Sequence, residues 1–314
     1  MHDPLPAAFP VHGSAAGLSM CLFRLVLGSA LLWKTVADHV YGMARYFDLS
    51  PKSLVRWRYE RDEMAVKVLL SPTAFRVFYA ARAVAVLAVF TGVLTPLAAA
   101  VVAAWCVFEF TFDRKFNTLF LGMMSVPFVF ATGTGTWYSL QSLLDAPSLS
   151  AFVAPSPAPG GGVSWPQAAA VVLMFQVYWS SALYKARSRQ FTSGDTLQKV
   201  FAQLASLRAE LPDRRREYFF PDWFTRRLAT AEPSLVARRW RIPSLVTVGV
   251  EAALPVLLVV HPTWWVGALL GVLMHGAFTA MLPKRLVPFS LASLGTYVLF
   301  LPEHDLATLM RGLT

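Results

Sequence analysis

Charge is scarce in this chain. Only 15% of its 314 residues are Asp, Glu, Lys or Arg, where a water-soluble domain carries about 25%. With 56% hydrophobic residues and a mean hydropathy of +0.50, that shortage excludes an ordinary soluble domain and points to a bilayer. Cysteine is nearly absent: Cys21 and Cys106 both fall in apolar runs with no CxxC pair, so neither a disulfide framework nor a thiolate metal site is supported. Histidine offers little more, with six in the chain. His2, His12 and His304 are near the ends, His39 and His261 border apolar runs, and only His275 lies deep in one. No HExxH or paired-ligand spacing occurs, so no metal centre is indicated. Thr132-Gly133-Thr134-Gly135-Thr136 lacks the GK[ST] continuation of a phosphate-binding loop and reads as a helix end. Residues 1–17 hold no Lys or Arg and no small-residue cleavage site; they read as a short outer tail, not a cleaved signal peptide.

What the chain does have is apolar runs near the ~20 residues a helix needs to cross ~30 Å of hydrocarbon. Eight are predicted, at 18–36, 74–91, 96–112, 117–136, 165–185, 244–260, 263–282 and 286–301. The expected fold is therefore all-α: a polytopic membrane bundle of about eight helices over 18–302, followed by a C-terminal tail at 303–314. Only four residues separate the third and fourth runs, and the last is short for a vertical span. Counts of seven and nine are the alternatives.

Loop charge orients this map. Cytoplasmic loops are enriched in Lys and Arg, and 22 of the 28 basic residues fall in the loops 37–73, 113–116, 186–243 and 283–285, all on one side of an eight-span bundle. Arg311 alone lies in the loops and tails of the other side. The expectation is a multi-pass cell-membrane protein with its basic loops cytoplasmic and both termini outside. The net charge of +10 then requires no nucleic acid, and it suits anionic lipid head groups. The outer loop 146–164 carries Pro-Ser-Pro-Ala-Pro-Gly-Gly-Gly and reads as a flexible tether. The inner loop 186–243 holds a helical pattern around Thr196 to Leu211, an arginine run, and aromatic residues from Tyr218 to Phe224. It reads as an amphipathic belt on the lipid surface or as a lid over a cytoplasmic site.

Ionisable residues inside the runs carry the functional signal, because each is costly unless it faces protein or water. Lys185 ends the long run from Val171. An amine held where hydrocarbon meets water is partly desolvated, and desolvation favours the neutral, basic form; the competing reading is a snorkelling anchor. Glu251 and His275 lie at similar depths in two neighbouring runs, and Glu109, Asn117 and Arg82 fall in the same membrane half. Six polar groups from six helices suggest a polar cavity open to the cytoplasm. For Arg82 the competing reading is a structural ion pair with Glu251 or Glu109. Pro255, four residues after Glu251, predicts a kink. Arg24 and Lys34 are placed outside this group. Tyr178, Trp179 and Tyr184 before Lys185, with Trp105 and its neighbouring phenylalanines around Glu109, offer stacking surfaces for a flat apolar ligand such as a quinone, or serve as an interfacial belt.

Several stretches together resemble the HTTM family, the membrane domain shared with vitamin K-dependent gamma-carboxylases and sporulation-delaying protein B-type bacterial proteins. They are Phe23-Arg24-Leu25-Val26-Leu27-Gly28, the segment from Arg114 to Gly122, Tyr178 to Lys185 followed by Phe191-Thr192-Ser193-Gly194, Glu251 to Pro255, and His275 with Pro288-Phe289-Ser290-Leu291. The resemblance covers most of 15–302 and rests on order and spacing. It implies that Lys185 is the base that deprotonates a hydroquinone-like cofactor. Tyr184 stands where the carboxylases have a second lysine, and Thr118 where they place a functional histidine.

The resulting expectation is a membrane enzyme, redox-linked through a quinone-like lipid and acting on a peptide or small lipophilic substrate. Lys185 is the base, Glu251 and His275 position it or relay protons, and Asn117, Arg82, Tyr184 and Trp179 contact the cofactor. The alternatives are an accessory protein for maturation or export of a secreted peptide, working with a soluble partner, and a small-molecule transporter built around a broken helix at Glu251–Pro255.

Overall fold

The computed structural model describes residues 16–40, 72–113, 116–153, 163–210, 233–281 and 286–312. The chain is all-α: among the described residues helices follow one another and there is no extended strand. The aromatic segment 218–224, most of the outer tail and most of the tether lie outside the described residues.

The first compact unit comprises residues 1–171 and 301–314. It holds α1 (Leu18–Val40), α2 (Pro72–Thr91), α3 (Thr95–Asp113), α4 (Phe116–Phe130), and the short helices α5 (Leu140–Asp145) and α6 (Leu149–Val153). Helix α1 buries Leu18, Met20, Phe23, Leu27 and Leu31 at helical spacing, and this stripe packs onto α2 and α4. The crossing with α2 is close because Gly28 has no side chain: a Cβ there would fall 2.6 Å from the Phe90 Cα. The turn between α2 and α3 is made by Gly92, at φ +79°, a conformation that costs glycine little.

Several of the predicted boundaries move, among them those of the fourth run and of the C-terminal tail. The run 117–136 becomes the 15-residue α4, ending at Phe130. The Thr-Gly repeat beyond it leaves the helix with Gly133 at φ +67°, and Thr132 O accepts from Ala16 N at 2.7 Å. The C-terminal tail is a helix, α13 (Glu303–Gly312), that buries Leu306 and Ala307.

The second unit is Val172–Phe300. Helix α7 (Trp165–Arg187) enters it and is followed by α8 (Arg189–Thr192), α9 (Asp195–Glu210), α10 (Pro233–Val259), a 3-10 turn at His261–Thr263, α11 (Trp264–Met281), α12 (Val287–Gly295) and a 3-10 segment at Thr296–Phe300. Helix α9 realises the pattern expected from Thr196. Helix α10 runs through both Pro243 and Pro255 without interruption, so the Glu251–Pro255 stretch is not a broken helix.

Among the described residues, three helical segments are long and apolar enough to cross a membrane: Leu18–Val40, Arg239–Val259 and His261–Ala280. Three shorter apolar helices, Thr95–Phe110, Phe116–Phe130 and Val287–Phe300, fall below that length. Helix α7 has 23 residues, but Gln167, Gln176, Ser180, Ser181 and Lys185 lower its hydropathy.

Candidate functional site

The polar residues singled out in the sequence divide between the two units. In the first unit, Arg82 and Glu109 join a network that also takes in Lys34 and Asp38. Lys34 Nζ lies 2.7 Å from Glu109 Oε1 and 2.9 Å from Asp38 Oδ2. The Arg82 guanidinium lies 3.1 Å from Asp38 Oδ2 and 3.6 Å from Glu109 Oε2. Arg82 Nη2 donates to Thr35 Oγ1 at 3.3 Å, and Trp105 Nε1 donates to Glu109 Oε2 at 3.2 Å. The guanidinium carbon also sits 5.5 Å from the Trp105 ring centroid.

Lys34 was expected to stand apart, and its place in this network is a correction. An Asp four residues on, at 38, shares its helix face and was the available signal. Of the two partners weighed for Arg82, Glu109 is the one it meets. Asn117 is half-buried in the first turn of α4, and its neighbour Thr118 donates to Glu109 Oε1 at 3.5 Å.

Arg24 forms a second buried anchor in the first unit. Its side chain is fully buried and donates to carbonyl oxygens of Val89 at 2.7 Å, Phe90 at 2.8 Å and Trp137 at 3.3 Å, and to Tyr138 O. The guanidinium thus caps the C-terminal carbonyls of α2, which have no partner within the helix. Tyr138, beside this clamp, has its phenol pushed up to about 12 by burial.

The second unit holds Lys185, Glu251, His275, Trp179 and Tyr184. Lys185 occupies the last turn of α7, since Ser188 ends that helix and accepts from Phe191 N at 3.3 Å to start α8. The fold-back places the Phe191 ring centroid 5.5 Å from Lys185 Nζ. On its other side Lys185 Nζ is in direct contact with Glu251 Oε1. The lysine side chain is 23% exposed and the glutamate 5%, so the pair runs from a partly open amine to a closed carboxylate. Glu251 lies on the buried stripe of α10 with Ser244, Leu254 and Leu258. Its Oε2 is buried and has no hydrogen-bond partner among the described residues.

Seven residues before Lys185, on the same face of α7, Tyr178 begins a second polar group. Its hydroxyl is 2.7 Å from His275 Nε2 and 2.9 Å from the Tyr297 hydroxyl. All three side chains are buried, and His275 Nδ1 has no partner among the described residues. Seven residues of helix correspond to about 10 Å, so this group lies two turns along α7 from the Lys185–Glu251 contact.

The aromatic cofactor candidates are placed unequally. Trp179 is half exposed and donates from Nε1 to Ala252 O at 3.1 Å, next to Glu251. Tyr184 is 80% exposed on the outer face of α7. Tyr297 was not anticipated as a site residue. It sits in an irregular 3-10 segment that helical periodicity does not reach.

No protein-family model, curated protein or solved structure matches this chain.

Proposed function

We propose that the chain is a multi-pass helical membrane protein whose second unit performs proton-transfer chemistry at Lys185, with its basic loops cytoplasmic. The membrane reading draws on an inverted distribution of polarity. Ile242, Val256, Trp265 and Leu273 are exposed on α10 and α11, while Glu251 and His275 on the same helices are buried. Apolar faces outside and ionisable groups inside suit a lipid solvent.

The observation that carries the chemical reading is the direct Lys185–Glu251 contact with an unanswered carboxylate oxygen behind it. A protonated lysine is no base. For Lys185 to act as a base, Nζ passes one proton to Glu251 Oε1, leaving a neutral amine and a neutral acid. The amine then accepts a proton from a bound substrate. Glu251 is the proton acceptor and positions Nζ, and His275 on α11 meets Tyr178, which lies two turns before Lys185 on α7.

The resemblance noted in the sequence supplies the cofactor class, a hydroquinone-like lipid that brings an acidic ring hydroxyl. Two features of the second unit accord with such a group: buried polar atoms without partners, and the half-exposed Trp179 ring beside Glu251. The substrate class is a peptide or small lipophilic molecule. Arg82, fully engaged by Asp38 and Glu109, is left to structure in this reading. The uninterrupted α10 gives no support to transport.

The test is mass spectrometry of solvent extracts from the purified protein. A lipophilic ring compound is expected to co-purify with the wild type and to be depleted in the Lys185→Met and Glu251→Gln forms at equal membrane abundance. Identical extracts from all three would overturn the assignment.

A further inference from the structure

At the short helices α5 and α6 the first unit opens a cleft of about 240 Å³, whose lining includes Thr136, Trp137, Tyr138, Ser142, Asp145 and Phe152. No member of the Lys34–Arg82 network lines it. Its volume is below the ~300–1,000 Å³ usual for drug-sized ligands, so the cleft suits a small molecule.

The floor is fixed from behind. Arg24 Nη2 donates to Trp137 O at 3.3 Å and to Tyr138 O, and Tyr138 is held at φ +53°, in the left-handed region that a bulky side chain normally avoids. Ser139 then starts α5 through a capping box with Ser142. The Tyr138 hydroxyl donates to Val153 O at 3.1 Å and its ring meets Phe152 edge-on, centroids 5.8 Å apart, which ties the end of α6 to the same turn. The hydroxyls of Tyr138 and Ser142 are thereby spent on the protein itself.

Three groups of the lining remain open. Asp145 is exposed, and its Oδ2 accepts from Gln141 Nε2 at 2.7 Å; no cation pairs with it among the described residues. The Trp137 side chain is half-buried, yet it makes no hydrogen bond or ring contact among the described residues, and the exposed Thr136 hydroxyl is likewise unengaged. Asp145 is the one charged side chain of the lining, which holds no Lys, Arg or His. Arg24 is fully buried behind the turn, its two terminal nitrogens donate to carbonyl oxygens, and it lines no part of the cleft.

We propose that this cleft binds a small alkylammonium ion, with Asp145 pairing the charge, the Trp137 ring lying against it and Thr136 Oγ1 accepting one of its N–H groups. A lone carboxylate selects a cation, and tryptophan offers the best aromatic face for one. Hydrogen bonds from an ammonium to a carboxylate are the stronger, charge-assisted kind. A head group that carries a phosphate beside its ammonium would find no cation in the lining, so the occupant is a free amine. The inference lies wholly within the first unit and stands independently of the chemistry proposed at Lys185.

Full-length protein labelled with 5-fluorotryptophan in neutral-detergent micelles reports on Trp137 through its 19F resonance, assigned by its loss in Trp137→Phe. n-Butylammonium chloride is expected to shift that resonance saturably, while 1-butanol and phosphoethanolamine at the same concentrations leave it in place. Asp145→Asn is expected to raise the half-saturating concentration by roughly tenfold or more, as the loss of one hydrogen bond to a charged group implies. Trp137→Leu, followed by calorimetry, is expected to weaken binding by about threefold. The other fluorotryptophan resonances report whether Asp145→Asn is folded, and selectivity for the ammonium over the alcohol in the wild type decides the matter without any variant. No shift with n-butylammonium, an equal shift with 1-butanol, phosphoethanolamine binding as tightly as n-butylammonium, or unchanged affinity in folded Asp145→Asn would each overturn the inference.

Discussion

The two buried ion-pair clusters, one in each unit, are matched to different degrees. In the first, Lys34 and Arg82 face Asp38 and Glu109, so two cations meet two anions and the Glu109 carboxylate takes further donors from Trp105 and Thr118. In the second, one lysine meets one glutamate, and Glu251 Oε2 and His275 Nδ1 are left without partners among the described residues. Matched charge stabilises an arrangement and leaves nothing to react. A buried polar atom without a partner is costly, and proteins keep such costs where a ligand or a proton will answer them. The first network is therefore read as the fastener of α1, α2 and α3, and the second as the site of chemistry.

Substitutions can break this contrast or sharpen it. The largest effect is expected from Glu109→Ala, which leaves Lys34 and Arg82 facing each other with Asp38 as their remaining anion. Removing one partner of a buried pair costs about 3–5 kcal/mol, and the readout is loss of the monodisperse peak and of the thermal transition in detergent. Next comes Arg24→Leu. It strips donors from four carbonyl oxygens at the end of α2 and the 137–138 turn, at about 3 kcal/mol, measured by the same melting experiment.

Lys185→Met is expected to cost the fold less than Glu109→Ala, because the amine is partly exposed and only one cation is lost from a single pair. A melting loss as large as that of Glu109→Ala would erase the distinction between the units. The smallest effect is expected at Glu303, whose carboxylate accepts from Leu18 N at 3.0 Å at the start of α1. Burial holds its pKa above the usual carboxylate range, partly offset by that hydrogen bond. The folded state therefore binds the proton more tightly than the unfolded chain. Its contribution to stability is greatest below the unfolded value and declines as pH rises through the folded one. Glu303→Gln should flatten that part of the stability–pH curve, as measured by melting across mildly acidic pH.

The helices were legible because apolar runs of helical length are an explicit sequence signal. The end of α4 was harder to place, since Thr132 to Thr136 is apolar enough to extend a span and only Gly133 and Gly135 hint that the backbone turns away. Lys185, Glu251 and His275 stood out as isolated polar residues in apolar runs, and the structure brings the first two into contact. The network in the first unit was only half visible. Arg82 and Glu109 were noticed, but Lys34 near a helix end looked like an interfacial lysine, and nothing in the order of residues reports that α1 and α3 cross at that level. Tyr297 was hidden for a related reason: its ring sits where a Cβ at Gly271 on another helix would fall, a relation of shape that sequence periodicity does not carry.

The central claim is that Lys185 works as a base and is not merely a cation at a membrane surface, and Lys185→Arg isolates that point. Arginine keeps the positive charge and the reach, but it cannot be deprotonated in the physiological range. Untargeted mass spectrometry of cells expressing wild type, Lys185→Met and Lys185→Arg at matched membrane abundance reads the outcome directly. The expected result is a covalently altered peptide or lipophilic molecule present with the wild type and absent with both variants. The same product formed at full level by Lys185→Arg would contradict the account.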